Sequence, residues 1–330
     1  MSSRPDTFDI DIEGARSRIA PLAVRTPLVP SVALTDRVGV DVFLKLETTQ
    51  PTGAFKIRGA ASFILSLSEE RRALGVVTAS TGNHGRAVSY VARHLGIPAV
   101  VCVSDGVPPG KLAALEQLGA RVEVVGRSQA EAMQRAHSIA KADGLTFVHP
   151  FDDPDVIAGQ GTIAAEIAED LPETRTVLVP LSGGGLLAGI AEGLRQFLPT
   201  SEPVGISMRR APVMVRSLEA GHPIDLPEEE TLADSLRGGI ELDNRYTFTM
   251  VRDLVKRTAL VDEVDIWEAM GFLVQHHRLV VEGGGAVGVA ALLSKKVEPL
   301  PGPVVAVISG ASAEPAHVAA LIEGKPAPTL

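Results

Sequence analysis

Short runs of Val, Leu and Ile alternate along this chain with longer stretches in which apolar residues recur at three- and four-residue spacing. The short runs suit strands and the longer ones helices, which together give the rhythm of an α/β protein. Gly75–Ala79, the apolar run Ile97–Val103, Arg121–Val125 and Thr146–Val148 read as strands. Helices are expected between them over Gly85–Leu95, from about Pro109 to Leu118, and over Ser128–Asp143. Repeated strand and helix units with short connections make one block, whose limits suggest a small inserted domain of residues 52–150. Further on, Thr176–Leu181, Val204–Ser207 and Val304–Ile308 read as strands, with helices near Gly161–Asp170, Leu186–Phe197 and Val264–His276. The polar, proline-containing segment Ile224–Leu236 reads as a mobile connection or surface loop, and its acidic run Glu228–Glu230 as a solvated face or helix start.

A chain of 330 residues, 45% hydrophobic, can bury a large core and has room for two domains. Its net charge of -9 offers no general attraction for nucleic acid or an anionic membrane. Cys102 is the only cysteine, so neither an intrachain disulfide nor a multi-cysteine metal site is possible, and its apolar surroundings suit a buried structural thiol. The first residues lack an apolar signal segment, and no stretch of 18 uninterrupted apolar residues occurs. The expectation is a cytoplasmic, soluble protein.

The chemistry concentrates in two segments. Lys56 lies in Thr52-Gly53-Ala54-Phe55-Lys56-Ile57-Arg58-Gly59, and a second turn, Ser182-Gly183-Gly184-Gly185-Leu186, joins an expected strand to an expected helix. A lysine amine can form a Schiff base with pyridoxal phosphate, and backbone N–H groups converging at a glycine-rich strand-to-helix turn can hold that cofactor's phosphate.

These segments fall in order with Phe43-Leu44-Lys45-Leu46-Glu47, Ser80-Thr81-Gly82-Asn83-His84-Gly85, His149-Pro150-Phe151-Asp152 and Gly159-Gln160-Gly161-Thr162. On these motifs, which span nearly the whole chain, the sequence resembles the serine and threonine dehydratase branch of the fold type II pyridoxal phosphate enzymes. Thr81, the run Gly283-Gly284-Gly285-Ala286-Val287-Gly288 and the length look most like the hydroxyectoine-utilisation dehydratases. The resemblance implies two open twisted sheets flanked by helices, with the cofactor between domains: residues 1–51 plus 151–330 as the large domain and 52–150 as the small one. It also implies a homodimer formed mainly through the large domains. The chain ends soon after Ser309, so no additional regulatory domain and no strong isoleucine effect are expected.

The resemblance further assigns roles. Lys56 would hold the cofactor and, once released by the substrate amine, take the α proton; Phe55 would touch the cofactor plane. Ser80, Thr81, Gly82, Asn83 and His84 would bind the substrate carboxylate, with Asn83 also on the cofactor's phenolic oxygen. His84 has the alternative of satisfying a backbone carbonyl in the core, and Glu282 that of capping a helix. Thr81 aligns with a serine that acts on the opposite face in racemising relatives. Ser182, Gly183, Gly184, Gly185 and Leu186 would hold the phosphate, Ser309 would face the pyridine nitrogen, and Gly239 and Glu282 would lie near the cofactor. Arg209 or Arg210 could meet a second anionic group on the substrate or equally serve as exposed surface residues. Of the acidic ligands found in metal-assisted relatives only Asp234 remains, so no metal is expected. The implied reaction is β elimination from a small β-hydroxy amino acid or related compound, in hydroxyectoine utilisation. Threonine or serine dehydration and 3-hydroxyaspartate ammonia release stand as alternatives, followed by serine racemisation and ligand binding without chemistry.

Overall fold

The computed structural model describes residues 8–107 and 109–330. Ten strands run along it: β1 (Leu28–Pro30), β2 (Val42–Leu46), β3 (Val76–Ala79), β4 (Ala99–Val103), β5 (Arg121–Val124), β6 (Thr146–Phe147), β7 (Thr176–Pro180), β8 (Glu202–Met208), β9 (Arg257–Val261) and β10 (Val304–Ile308). They form a six-stranded sheet, β1-β2-β10-β7-β8-β9, and a four-stranded sheet, β5-β4-β3-β6. Every pairing is parallel except β1 with β2. This is the α/β architecture of two helix-flanked sheets that the resemblance implies.

The continuous apolar runs have a direct cause. β10 is buried along its length, and its side chains alternate between two cores. Val304, Ala306 and Ile308 enter the core beneath helices Glu263–Phe272 and Gly283–Leu293, whereas Val305 and Val307 enter the core beneath Pro154–Asp170 and Gly185–Phe197. A strand covered on both faces has no solvent side, so it needs no polar alternation. In the small sheet, Val76, Val101 and Val103 meet helices Lys56–Ser66 and Asn83–Leu95. Val77, Val100 and Cys102 meet helix Gln129–Asp143 on the opposite face. Cys102 is thus the buried thiol its surroundings suggest.

Several elements differ from the pattern-based reading. The helix expected near Gly161 begins at Pro154, because Asp153 caps it by accepting the N–H groups of Asp155 and Val156. Its glycines are there for contact: a Cβ at Gly159 would lie 2.4 Å from the Arg58 carbonyl oxygen, and the facing Gly189 could not carry one within 2.4 Å of Ile157 O. Helix Gly283–Leu293 was hidden by its own opening glycines. The segment Ile224–Leu236 is not simply a surface loop: Glu228–Glu230 are exposed, but Leu232, Ala233 and Leu236 are buried in the large core.

Between the sheets lies helix Lys56–Ser66. Ile57, Ala60, Ala61 and Ile64 pack on the small sheet, while Arg58, 1% exposed, points back at the large one. Its guanidinium donates to Glu47 through Nε (2.8 Å) and Nη2 (2.8 Å), and to Glu166 through Nη1 (2.6 Å) and Nη2 (2.9 Å). The fully buried Lys45 pairs with Glu166 at 2.7 Å, so two cations face two carboxylates. Burial pushes the Glu166 carboxyl up, but Arg58 and Lys45 outweigh it and hold it below the usual range. Removing one member of such a cluster strands the others, so Arg58→Ala should lower the unfolding free energy by about 3–5 kcal/mol in chemical denaturation. Arg58→Lys should recover little of this, because an ammonium cannot make both forked contacts.

Candidate active site

The candidate residues gather where strands end. Ser309 follows β10, Ser182 lies just past β7, and Ser80 follows β3. In parallel sheets the carboxyl ends of strands open the crevice in which ligands bind. The turn before Lys56 is stitched to the end of β10, with the Phe55 N–H on Ser309 O (3.0 Å) and the Ala311 N–H on Gly53 O (2.9 Å). Lys56 therefore begins its helix directly beside Ser309.

The Lys56 amine donates to the Pro150 carbonyl at 2.6 Å and lies 5.3 Å from the centre of the Phe55 ring. Burial lowers its pKa to about 8, with the charge of Glu282 pulling the other way. An amine that titrates so near neutrality has a usable neutral fraction and can attack a carbonyl carbon. Ser309 is buried, and its hydroxyl makes no hydrogen bond among the described residues.

The glycine turn opens helix Gly185–Phe197, with Gly184 at φ +90°, a left-handed conformation that glycine adopts without strain. No residue in the described chain accepts a hydrogen bond from the N–H groups of Gly183, Gly184, Gly185 or Leu186. Each glycine is also forced by its neighbours. A Cβ on Gly183 would come within 2.5 Å of the Phe151 ring, one on Gly184 within 2.8 Å of Met214, and one on Gly185 within 2.9 Å of the Phe151 backbone. Asp152 fixes the far wall by accepting the N–H groups of Arg245 (2.6 Å), Tyr246 (2.9 Å) and Thr247 (2.8 Å).

In the loop after β3, the Ser80 hydroxyl accepts the Gly82 N–H at 3.3 Å. Gly82 precedes helix Asn83–Leu95 without a side-chain cap, which leaves the first N–H groups of that helix open to a ligand. Thr81 is partly exposed and makes no hydrogen bond among the described residues. His84 corrects the sequence reading as far as its side chain goes. Nε2 meets Val148 O at 3.0 Å, and burial followed by the charge of Lys56 lowers its pKa to about 3. The ring is thus neutral and spent on the core, and only the backbone of His84 faces the loop.

Asn83 and Glu282 meet directly. The Asn83 amide donates to Glu282 Oε1 (2.9 Å) and Oε2 (3.1 Å), so here its NH2 faces a carboxylate. Glu282 precedes helix Gly283–Leu293 without capping it through its side chain, because the carboxylate takes Asn83 and the Ser312 N–H (3.1 Å) instead. Burial pushes its pKa up. The unusual glycine run makes this seat possible: a Cβ at Gly283 would lie 2.1 Å from Leu232 O, at Gly284 2.2 Å from Ser235 Oγ, and at Gly285 2.9 Å from Gly310 O.

Other candidates lie apart. Gly239 is in an exposed loop, and no hydrogen bond among the described residues ties it to the site. Arg209 pairs with Asp262 at 2.5 Å, and Arg210 donates to Glu230 O at 2.6 Å, so both are engaged at the surface. Asp234 sits 3.8 Å from Lys111. Motif reading included His149 and Pro150 in a family run but not their contacts, the Pro150 carbonyl as the Lys56 acceptor and His149 Nδ1 as acceptor of the Asp152 N–H at 2.7 Å, and it missed Ser312 and Arg86 beside Asn83. His149 and Pro150 are visible in the run His149-Pro150-Phe151-Asp152, whereas no motif points to Arg86 or Ser312.

A nucleophilic amine, unspent N–H groups at a left-handed glycine turn and a buried free hydroxyl on the neighbouring strand end are complementary to a phosphorylated pyridine aldehyde. The donor set fits pyridoxal phosphate, and the protein is an enzyme of that cofactor class. The chain belongs to the pyridoxal-phosphate dependent enzyme family, which it matches over residues 19–310. It is 40% identical over 312 residues to the L-threonine ammonia-lyase of Geobacter sulfurreducens, covering 94% of this chain and 77% of that one. It is 38% identical over 317 residues to the catabolic L-threonine dehydratase TdcB of Staphylococcus aureus strain N315, covering 95% and 91%. Among solved structures, maize serine racemase superposes with a TM-score of 0.89 at 32% identity, covering 96% of this chain and 98% of that one.

The lowered pKa has a measurable consequence. In cofactor-free protein, Lys56 acylation followed by peptide mapping should show a midpoint near 8. Since the unfolded chain holds this proton up to the ordinary lysine value, it binds more protons than the folded state between the two pKa values. The Lys56 contribution to stability should therefore rise with pH across that window, and Lys56→Met should flatten the rise.

Proposed function

We propose that this protein is an ammonia-releasing dehydratase of threonine or serine, with Lys56 as both the cofactor anchor and the base. The observation that carries the reading is the Lys56 amine, held at Pro150 O beside Ser309 and titrating near 8. The names of its relatives, a threonine ammonia-lyase and a threonine dehydratase, support threonine or serine over a hydroxyectoine-derived compound. When bound, pyridoxal phosphate supplies the electron withdrawal that acidifies the substrate α carbon.

The residues then divide the work. Gly183, Gly184, Gly185, Leu186 and Ser182 would hold the phosphate, Phe55 would border the ring, Ser309 would meet its nitrogen, and Asn83 and Glu282 would complete the surround. The N–H groups at the start of helix Asn83–Leu95, with Ser80, Thr81 and Gly82, bind the substrate carboxylate, where the helix dipole favours negative charge. The released Lys56 amine would remove the α proton, the Cβ–O bond would break, and the leaving hydroxyl would take up a proton, balanced by the one now on Lys56, and depart as water. The resulting enamine tautomerises and hydrolyses to a 2-oxo acid and ammonia. No metal takes part in this scheme.

We propose residues 1–51 plus 151–330 and 52–150 as the two domains, a division supported by the existence of two separate sheets, and a cytoplasmic homodimer as the working form. Among the described residues no helix is long and apolar enough to cross a membrane. A second reading, racemisation of serine, is favoured by the likeness to maize serine racemase and requires a group on the face opposite Lys56; Thr81 is our candidate.

Lys56→Ala should abolish both ammonia release and borohydride trapping of the cofactor on the peptide that contains residue 56. The substrate test is a panel of L-threonine, both serine enantiomers, 3-hydroxyaspartate and a hydroxyectoine-derived amino acid, with ammonia, oxo acid and chirality measured. Threonine and L-serine should give the highest kcat/KM without racemisation. Turnover of O-acetylserine alone would reject dehydration. Sedimentation over a range of concentrations should give a dimer mass, and a fully active monomer would reject a required dimer.

A further inference from the structure

Asn83 is useful only if its amide points the right way, and its own two ends are nearly alike in shape. The structure surrounds it with groups that are not alike. Ser312 Oγ lies 2.7 Å from Asn83 Oδ1 and 3.2 Å from Arg86 Nη1. A guanidinium has no acceptor, so Arg86 can only donate. The Ser312 oxygen must therefore accept from Arg86, and its hydroxyl proton is left for Asn83 Oδ1. The Asn83 NH2 then faces Glu282, and the Ser312 N–H closes the ring of contacts on the same carboxylate at 3.1 Å.

We propose that Arg86 and Ser312 are positioning residues that set the direction of the Asn83 amide and hold the Glu282 carboxylate ionised at the active site. Position on the helix supports this. Asn83 and Arg86 are three residues apart in helix Asn83–Leu95 and so share a face, which lets one hydroxyl span both. Ser312 is anchored independently of them: Ala311 N–H bonds Gly53 O, in the turn that leads to Lys56, so the relay is referenced to the same backbone that places the amine.

The groups facing Glu282 make the direction of the effect definite. Lys56 approaches from its own helix, Asp234 and Ser235 from the turn Asp234–Leu236, Asn83 from helix Asn83–Leu95, and Ser312 from the C-terminal segment. Lys111, which lies near Asp234, is also paired with Glu314 at 3.3 Å. If the relay is cut, the amide can turn its oxygen toward the carboxylate. That favours the protonated form of Glu282 and removes the negative charge that supports a proton on the Lys56 nitrogen.

The proposal rests on the reading of Lys56 as the cofactor anchor, and the test separates the two. Holoenzymes of the wild type, Ser312→Ala, Ser312→Thr and Arg86→Met are compared by three measurements: borohydride trapping at Lys56, the pH dependence of the cofactor absorbance, and kcat and KM for L-threonine. Ser312→Ala and Arg86→Met should trap cofactor at Lys56, lower kcat roughly tenfold with KM within about twofold, and move the absorbance midpoint to lower pH, whereas Ser312→Thr should restore both. A wild-type midpoint and kcat in Ser312→Ala, or in Arg86→Met should Ser312→Ala fail to fold, would overturn the proposal. So would a loss of thermal stability with no shift in midpoint. Failure of the wild type to trap cofactor at Lys56 would instead overturn the functional reading on which the relay depends.

Discussion

The ion cluster of Arg58, Glu47, Glu166 and Lys45 is the constraint on which the rest depends. Desolvating charges is expensive, by several kcal/mol per ion, and a well-packed apolar cluster often stabilises as well or better. What apolar packing does not supply here is register. The buried face of helix Lys56–Ser66 is made largely of Ala and Ile and could slide over the small sheet with little change in contact area. A forked guanidinium between two carboxylates from different elements allows one rotation and one height. Arg58 is two residues beyond Lys56, about 200° around the helix at roughly 100° per residue, so anchoring it on one side turns Lys56 to the other. There Pro150 O receives it.

Glycine contributes to placement at the same boundary. Gly59 and Gly159 let helices Lys56–Ser66 and Pro154–Asp170 approach until a methyl group would collide with Gln160 Nε2 at 2.3 Å or Arg58 O at 2.4 Å. Such contacts fix the distance between the sheets as the ion cluster fixes rotation. The same logic governs Gly283–Gly285, where close approach of the Leu232–Ser235 backbone and side chains builds the wall behind Glu282.

How much of this the sequence displayed follows from the physics of each element. β3, β4, β7 and β10 were legible because strands buried on both faces are written as unbroken apolar runs. β9 was not: it is an edge strand, mostly half-exposed, and its Arg257-Thr258-Ala259 opening has no clear period. Helix Gly283–Leu293 was missed because three glycines argue against a helix on propensity alone, and only tertiary contact explains them. At the site, Lys56 and the glycine turn stand out because their residue types are tied to their chemistry. The sequence left two uses open for His84, and contact geometry shows its side chain on the core carbonyl. Glu282 likewise binds Asn83 and Ser312 rather than capping a helix. No spacing rule could have joined Asn83 to Ser312, which are 229 positions apart.

The electrostatics of the site follow from what is left out of it. Arg58 and Lys45 are neutralised behind the helix, Arg209 and Arg210 are held at the surface, and the glycine turn Gly183–Leu186 offers backbone N–H groups rather than a lysine. Lys56 and Glu282 are therefore the principal charges facing one another in a low-dielectric crevice, where each interaction is weakly screened. If Ser309 faces the pyridine nitrogen as proposed, its neutral hydroxyl would not force a proton onto that nitrogen as a carboxylate would. That would suit the proposed elimination, which expels its leaving group as soon as the α carbon gives up its proton and has little need to store the charge.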